Sequence, residues 1–474
     1  MGINDRKIVT RFAPSPTGFM HVGGIRTALY AWLWAKKNNG SFILRIEDTD
    51  KEREVAGSIE HIIKSLKWLG IEWNEGPDIG GPHASYIQSE RLPLYKKYAE
   101  ILIEKGFAYP DPYTKEELDA FRKKADEEKR PFLYRDHRPE TFGIWDGTQA
   151  LRFKTPEIKS YKWMDAVRGE LSAGPEALDD FILIKSDGYP TYNFAHIIDD
   201  LQMEVTHVMR ADEFISSTPK FLSLYDALGI TPPTLVTLPP ILADGGNKKL
   251  GKRDGAKDIL EYKEEGYLPE AMVNFLALLG WNPGGEKEIF TISELIEIFD
   301  ISRIQISGAQ MNLEKLDWMN KEHLRMLPAE ELEKNIFSNL PENYREPKII
   351  HIITERISKW SDVKNMVEAG ELDLFFKAPE IDKPKLIFKN TSAEKTKNNL
   401  EFALNSLQEI SEENFTIENV KNALMSIADK LESRGELLHP VRYALSGRDK
   451  SPDPFTIASI IGKNETIQRL QKSI

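Results

Sequence analysis

The chain has 474 residues, of which 41% are hydrophobic and 29% charged, and its formal net charge is −12. This length predicts two or more domains, and the absence of cysteine excludes disulfides, thiolate nucleophiles and cysteine-ligated metal sites. Without an apolar run of about 18 residues or a secretory leader, we expect a cytoplasmic protein that crosses no membrane. The acidic charge argues against a protein that coats nucleic acid, but it leaves room for one local basic face.

Short β-like runs alternate with helix-like periods through the first half of the chain. Residues 8–12 predict a buried strand, and the apolar residues within 25–33 keep the i, i+3, i+4, i+7 spacing of an amphipathic helix. Residues 42–46 and 55–69 predict the next strand and the next helix. This alternation indicates parallel βαβ units and an α/β core.

The stretch from residue 92 to residue 162 has a different character. It opens on a predicted helix and carries a basic segment around residues 122–130, and we interpret it as an insertion into the α/β core. The βα alternation is expected to resume after it, and beyond residue 269 helices are expected to replace strands. The later strands and helices are predicted at residues 181–184, 207–210, 217–228, 234–238, 271–279, 293–299, 313–319 and 420–431.

The first candidate site is the turn between the first strand and the first helix. His21, Gly23 and Gly24 follow a proline-stiffened segment there. A helix start presents free N–H groups at the positive end of its dipole, which suits a phosphate, and His21 could donate a hydrogen bond to a phosphoryl oxygen. The alternative is a tight turn with a capping histidine. The pattern matches neither of the common glycine-rich nucleotide loops.

The second candidate site is the segment 244–255, called here the lysine loop. It places Lys248, Lys249, Lys252 and Arg253 between glycines. A cationic loop of this kind suits a reaction in which pyrophosphate leaves, because negative charge builds up on the departing oxygens. Glycines would let such a loop close after ATP enters. The alternative is a solvated surface loop.

The two segments together resemble the signatures of class I aminoacyl-tRNA synthetases. Residues 14–24 resemble their HIGH signature and residues 249–253 their KMSKS signature, in the same order along the chain. The residues of these and further segments most resemble those of the bacterial-type glutamyl-tRNA synthetases, and the resemblance extends to the C-terminal end of the chain. The segments that carry it are residues 11–18, 45–50, 186–192, 266–271, 439–442 and 446–447.

This chain departs from the family pattern in three places. Gly24 replaces the second histidine of HIGH, and the glutamyl branch often has a small residue there. Gly251 replaces the serine of KMSKS, so a hydroxyl that could contact phosphate is absent while both lysines remain. Some relatives bind zinc through cysteines in the insertion. Residues 108–113 and 135–137 contain none, and we predict no zinc.

The resemblance implies a pocket for glutamate. A guanidinium fits the side-chain carboxylate of glutamate, and Arg11 and Arg210 end predicted strands, where open α/β sheets hold ligands. Glu47 is the expected partner of the α-ammonium, with Glu213 as a second candidate. Tyr192 and His196 are implied pocket residues for which a purely structural role stays open, and helix capping stays open for Asp50. The implied site also includes Ala13 and Ser15.

The implied reaction needs no protein nucleophile. The carboxylate of glutamate attacks the α-phosphorus of ATP, pyrophosphate leaves, and the terminal ribose of tRNA-Glu then takes the acyl group. His21, Lys249 and Lys252 are the implied catalytic residues. The implied ATP site also includes Gly23, Gly24 and Arg253. Mg²⁺ would accompany ATP, and the expected state is a monomer.

The implied fold class is α/β: a Rossmann-like parallel-sheet catalytic domain with an α+β insertion, followed by an all-α C-terminal anticodon-binding region. The insertion is expected to bind the acceptor end of tRNA. The predicted domains are residues 1–91 and 196–285 for the two halves of the catalytic domain, 92–195 for the insertion, 286–327 for a helical stem-contact region and 328–474 for the anticodon-binding region.

Three other functions fit parts of the sequence. A relaxed synthetase would also charge tRNA-Gln with glutamate, and the residues that decide this lie in the anticodon-binding region. A small-molecule nucleotidylyltransferase shares the histidine–glycine turn, but the long helical C-terminal third argues against it. A tRNA-binding protein without activity is disfavoured because Arg11, His21, Glu47, Lys249 and Lys252 are all retained.

Overall fold

The computed structural model describes residues 7–243, 245–246, 248–251 and 257–474. The chain forms two compact units, Met1–His323 and Leu324–Ile474. Lys252 and Arg253, both predicted to bind ATP, lie outside the described residues. In the described part of the chain, no helix is long and apolar enough to cross a membrane.

The first unit contains all the strands that the structure describes. They are β1 (Val9–Phe12), β2 (Ser41–Leu44), β3 (Ala108–Pro110), β4 (Leu151–Phe153), β5 (Tyr161–Asp165), β6 (Gly169–Ala173), β7 (Ile182–Ile184), β8 (His207–Ala211), β9 (Thr234–Leu238), β10 (Ile241–Leu242) and β11 (Ala309–Gln310). Its helices are α1 (Val22–Lys37), α2 (Ser58–Trp68), α3 (Leu92–Glu104), α4 (Lys115–Glu127), α5 (Tyr192–Gln202), α6 (Thr218–Leu228), α7 (Ile259–Glu264), α8 (Pro269–Leu278) and α9 (Ile292–Ile298), and α10 (Leu313–Arg325) continues across the boundary between the units.

The main sheet has the strand order β2-β1-β8-β9-β5-β6. β1 pairs in parallel with β2 and with β8, and β8 pairs in parallel with β9. Buried apolar residues of α1, among them Ile25, Leu29 and Leu33, belong to the same core as Phe42 and Leu44 of β2. The predicted α/β fold with a parallel sheet is therefore confirmed.

The strand predicted at residues 181–184, where the βα alternation is expected to resume, is not part of the main sheet, and it lies within the range 92–195 predicted for the insertion. β7 instead pairs antiparallel with β4 in a separate three-stranded sheet, β3-β4-β7. The hairpin of β5 and β6, which lies within the range expected for the insertion, joins the main sheet through β9. A short apolar run has the same appearance in either sheet, so its sequence does not determine its partner.

Two smaller predictions also change. The helix predicted at residues 55–69 begins only at Ser58, because Gly57 takes a left-handed conformation with φ 79° at its N-cap. Strands do not disappear beyond residue 269, since β11 pairs in parallel with β10. Each of these strands is only two residues long. That is too short to show the alternation of apolar and polar residues by which a strand is predicted.

The second unit is helical throughout its described elements, as expected for the C-terminal third. Its core includes the fully buried residues Leu400, Leu424, Leu437, Val441 and Leu470. Its helices are α11 (Ala329–Ser338), α12 (Ile350–Arg356), α13 (Ser361–Glu368), α14 (Asp373–Phe376), α15 (Ala393–Gln408), α16 (Ile417–Ala428), α17 (Gly435–Ser446) and α18 (Pro454–Ser473).

Candidate active site

The turn between β1 and α1 ends in a capped helix. His21 is the N-cap of α1, and its Nδ1 accepts a hydrogen bond from the backbone N–H of Gly23 at 3.2 Å. The capping role left open from the sequence is therefore present. A cleft of about 360 Å³ opens beside the turn, lined by Thr17, Gly18, Phe19, Met20, His21, Val55 and Asp258. This cleft lies at the N-terminal end of α1, where a helix dipole favours an anion.

Gly24 packs against the side chain of Met20. A Cβ at position 24 would lie 2.5 Å from the terminal methyl of Met20, which is much closer than a van der Waals contact. The terminal methyl can move, but the present arrangement has no room for a histidine. Gly24 is therefore integral to the local packing of the turn.

The lysine loop starts beside β10, and the segment that follows it lies close to this turn. Within the loop, Leu250 donates its N–H to the carbonyl of Ile241 at 2.8 Å. Four residues after the loop, Ile259 donates its N–H to the carbonyl of Met20 at 2.9 Å. The structure thus brings together two segments that are more than two hundred residues apart in the sequence.

Lys249 and Glu213 form an ion pair in this structure, and Asp212 lies 3.9 Å from the same ammonium. Both side chains of the pair are more than half exposed. Glu213 follows β8 in a short 3-10 turn, which directs it toward the lysine loop. Glu213 was predicted as a second partner for the substrate ammonium. Its partner in this structure is Lys249, which was predicted to bind ATP.

A buried charge cluster lies beneath the ends of β1, β2 and β8. It consists of Arg11, Arg45, Arg91, Arg210, Glu47, Asp199 and Asp200, none of which is more than 8% exposed. Arg11 donates from Nε to Asp200 at 3.1 Å and from Nη1 to the carbonyl of Met209 at 3.3 Å. Its Nη2 has no hydrogen-bond partner among the described residues, so this edge of the guanidinium is available to a ligand.

Arg210 is the second arginine at a strand end. Its Nη2 donates to the hydroxyl of Thr218 at 2.9 Å, and its guanidinium lies 5.0 Å from the ring centre of Phe221. Burial lowers the pKa of Arg210, although an arginine keeps its charge at neutral pH. The arrangement fixes a buried cation at the C-terminal end of β8.

Glu47 and Asp200 share Arg45 as their partner. Arg45 donates to Glu47 at 2.9 Å and to Asp200 at 2.8 Å. Burial raises the pKa of Glu47 despite the opposing charge of Arg45. Burial acts on Asp200 in the same direction, but Arg11 and Arg45 outweigh it and hold the pKa of Asp200 at about 2. Asp200 is therefore an anion at neutral pH, placed between two arginines.

Tyr192 and His196 occupy successive turns of α5 and stack with their ring centroids 4.5 Å apart. His196 is 2% exposed, and its Nδ1 lies 2.6 Å from the carbonyl of Tyr192, so Nδ1 carries a hydrogen and donates. Burial lowers the pKa of His196 to about 3. Burial also raises the pKa of Tyr192. Both rings are neutral near pH 7 and present aromatic faces and hydrogen bonds, not charge.

Ala13 and Ser15 lie in the loop between β1 and the turn. The backbone N–H of Glu47 donates to the carbonyl of Pro14 at 3.0 Å, which places this loop beside the end of β2. Ser15 is exposed and Ala13 partly buried. Asp50 starts a 3-10 turn, but its side chain makes no capping hydrogen bond. Its carboxylate pairs with Arg53 instead.

The sequence prediction missed Arg45, Asp199 and Asp200. Asp199 accepts hydrogen bonds from Gln88, Arg91 and Tyr95 and so ties α3 and the segment before it to α5. The available signal was a pair of adjacent acidic residues inside an otherwise apolar helix run. Such a pair is costly to bury unless cations meet it, and its position eight residues after Tyr192 puts Asp200 near the same helix face.

The segments compared with zinc-binding relatives form a charged and aromatic cluster in the three-stranded sheet. Asp111 accepts hydrogen bonds from Arg152 at 2.6 Å and from Tyr134 at 2.5 Å. The ring of His137 stacks on Phe121 with the centroids 4.1 Å apart. Among the described residues, no group of three or more histidines and carboxylates is arranged to hold a metal ion.

The comparisons with known proteins agree over nearly the whole chain. The family model described as "tRNA synthetases class I (E and Q), catalytic domain" matches residues 7–318, and the model described as "Anticodon binding domain" matches residues 315–474. A protein of Clostridium botulinum named "Glutamate--tRNA ligase" is 44% identical over 99% of this chain and 98% of its own length. One of the same name from Clostridium kluyveri is 43% identical, again over 99% of this chain and 98% of its own length.

Solved structures give the same result. The crystal structure of a glutamate tRNA ligase from Elizabethkingia meningosepticum, in complex with its amino acid, is similar to this chain with a TM-score of 0.86 at 34% identity, over 99% of each chain. The glutamate-tRNA synthetase of Elizabethkingia anophelis gives a TM-score of 0.84 at 35% identity, over 99% of this chain and all of the other. The chain therefore belongs to the class I aminoacyl-tRNA synthetases of the glutamate and glutamine branch, a family of ligases.

Proposed function

We propose that the chain is a glutamate–tRNA ligase, which activates L-glutamate with ATP and transfers it to the 3′ end of tRNA-Glu. The observation that carries the proposal is the buried charge cluster. Its four arginines and three carboxylates have one positive charge in excess when all are ionised. Glutamate has two carboxylates and one ammonium at neutral pH, so its single net negative charge balances that excess.

The expected contacts follow from the geometry of the cluster. The side-chain carboxylate of glutamate would lie between Arg11 and Arg210, which end the adjacent strands β1 and β8. Glu47 would accept a hydrogen bond from the α-ammonium, and the neutral rings of Tyr192 and His196 would form a wall of the pocket. Ala13 and Ser15 would lie beside the α-amino group, because their loop contacts the backbone of Glu47.

The cleft beside His21 is the proposed site of ATP. Gly23 and Gly24 in the first turn of α1 would lie beside the phosphates; the N–H of Gly24 would face a phosphate oxygen, whereas the N–H of Gly23 is bonded to His21. The α-carboxylate of glutamate would attack the α-phosphorus from the side of the charge cluster, and pyrophosphate would leave toward the lysine loop. Lys249, Lys252 and Arg253 would neutralise the departing charge. Mg²⁺ would be held by the phosphates and water, and it would stabilise that charge as a Lewis acid.

The second unit is the proposed reader of the anticodon, and the match of residues 315–474 to an anticodon-binding family supports this assignment. We propose that the insertion binds the acceptor end of tRNA and that the enzyme acts in the cytoplasm as a monomer. The boundaries for these roles are those predicted from the sequence: the insertion at residues 92–195, the stem contact at 286–327 and the anticodon-binding region at 328–474.

Aminoacylation with purified tRNA-Glu and tRNA-Gln, offering glutamate and glutamine in turn, tests the proposal. We expect glutamate to be attached to tRNA-Glu and glutamine to be attached to neither tRNA. Charging of tRNA-Gln with glutamate would identify the relaxed form of the enzyme. Attachment of glutamine, or no attachment of glutamate, would contradict the proposal.

A further inference from the structure

One face of helix α2 carries a row of polar residues, and this face lies against the turn between β1 and α1. Ser58, His61 and Ser65 follow the i, i+3, i+7 spacing of one helix face. Ser58 is fully buried, and its hydroxyl donates to the carbonyl of Gly18 at 2.9 Å. The side chain of His61 is only 12% exposed. A histidine in such a position normally has a partner at each ring nitrogen.

The ring of His61 contacts the turn between β1 and α1 and the segment that follows the lysine loop. Its Nε2 lies 2.7 Å from Oδ2 of Asp258, and its Nδ1 lies 3.4 Å from the backbone N–H of Met20. The hydroxyl of Ser65 also lies 3.3 Å from Nδ1, but its single hydrogen has a closer acceptor in the carbonyl of His61 at 2.7 Å. One neutral tautomer, with the hydrogen on Nε2, satisfies both contacts. The ring also stacks on Phe19 with the centroids 4.5 Å apart.

Asp258 follows the lysine loop, one residue after the described chain resumes at Lys257. It caps α7 by accepting the N–H of Leu260 at 2.9 Å, and with Glu261 it forms a capping box. The next residue, Ile259, bonds to the carbonyl of Met20. Asp258 and Phe19 both line the cleft beside His21. His61 therefore connects two walls of that cleft, the turn that contains Met20 and the segment that contains Asp258.

We propose that His61 is a positioning residue for ATP: it holds Asp258 and the turn at residues 19–21 in the relative position that the nucleotide requires. The inference rests on the proposed function, because it takes the cleft to be the ATP site. His61 touches neither the buried charge cluster nor the described residues proposed to bind glutamate. Its effect should therefore fall on ATP and not on glutamate.

Two substitutions separate the contacts of His61. The amide of glutamine reaches about as far as Nε2, so His61→Gln can still donate to Asp258 but cannot accept from Met20. The shorter amide of asparagine reaches about as far as Nδ1, so His61→Asn keeps the contact with Met20 and loses Asp258. We expect His61→Asn to raise the ATP KM about tenfold, a typical loss for one charge-assisted hydrogen bond, and His61→Gln to raise it less.

The measurement is glutamate-dependent pyrophosphate exchange with tRNA-Glu present, titrating ATP and glutamate separately. Asp258→Ser keeps a good helix cap and should reproduce His61→Asn, and combining the two should add little. The glutamate KM should stay within about twofold, because a single lost contact outside that pocket leaves its binding free energy unchanged. His83→Gln is the matched control, since His83 also pairs with a carboxylate, Glu75, but does not contact the turn.

An ATP KM within about twofold of wild type in His61→Asn would overturn the inference, since a change of that size is below what one lost hydrogen bond produces. An equal rise in both Michaelis constants would also overturn it, by showing general damage to the fold. If wild type exchanges pyrophosphate normally, either result leaves the proposed function standing. If wild type shows no glutamate-dependent exchange, the proposed function fails and the inference fails with it.

Discussion

Arg11 is held by two protein contacts and keeps one edge of its guanidinium for a ligand. Replacing it with lysine retains the charge but removes the planar fork and the bond to Asp200. We expect Arg11→Lys to raise the glutamate KM by about 10- to 100-fold, as for the loss of a charge-assisted bidentate contact. Pyrophosphate exchange at varied glutamate checks this. The ATP KM serves as the internal control, and an unchanged glutamate KM would remove Arg11 from the glutamate site.

The depressed pKa of His196 predicts how stability depends on pH. The unfolded chain binds a proton at this residue below its ordinary pKa of about 6.5, whereas burial delays protonation in the folded chain until about pH 3. The unfolded state therefore binds more protons between these values, and stability falls as the pH falls through this window. At pH 5 the loss from this residue is about 2 kcal/mol relative to pH 7.

Urea denaturation of wild type and His196→Asn at pH 7 and pH 5 measures this effect. Asparagine does not titrate, so the variant should lose less stability than wild type between the two pH values. Asp200 adds almost nothing to the loss between these two pH values in either protein, because with a pKa of about 2 its contribution disappears only in stronger acid. Equal losses in the two proteins would show that His196 is not buried in neutral form.

The three-stranded sheet contains a buried ion pair at its centre. Arg152 donates to Asp111 at 2.6 Å and lies 3.4 Å from the ring centre of Tyr134. Arg152→Met would leave the carboxylate of Asp111 buried without its cation, which costs about 3–5 kcal/mol in comparable pairs. Thermal unfolding should show this loss. The double variant Asp111→Leu with Arg152→Met should recover most of it, and no recovery would mean that the pair is not the source of the loss.

The elements show how far the sequence predicts the fold. The strands β1, β2, β8 and β9 and the helices between them were predicted because buried parallel strands leave continuous apolar runs and amphipathic helices leave a clear period. The partner of β7 was not predictable, because three apolar residues fit any sheet. The residues of the candidate site also fall into those that the sequence predicts and those that it does not. Arg11 and Arg210 stand at strand ends, whereas the role of Asp200 depends on two arginines that only the tertiary structure brings to it.

At the scale of the whole molecule, the residues from Leu324 onward have a core of their own. We expect residues 324–474, produced alone, to fold into a helical protein. Leu424 is fully buried in α16, so Leu424→Ala should destabilise that protein by about 2–5 kcal/mol. Far-ultraviolet circular dichroism during urea titration measures both expectations. A fragment without helical signal would show that this unit depends on the rest of the chain.

The central pairing of the main sheet joins residues that are made at very different times. β1 pairs with β8, and the N–H of Val9 bonds to the hydroxyl of Thr206, 197 residues away. At synthesis rates of about 5–20 residues per second, roughly 10–40 seconds pass between the emergence of the two strands. During that time β1, which carries Arg11, has no β8 beside it. The N-terminal half of the candidate site is therefore a segment that chaperones would meet on the ribosome before the second half exists.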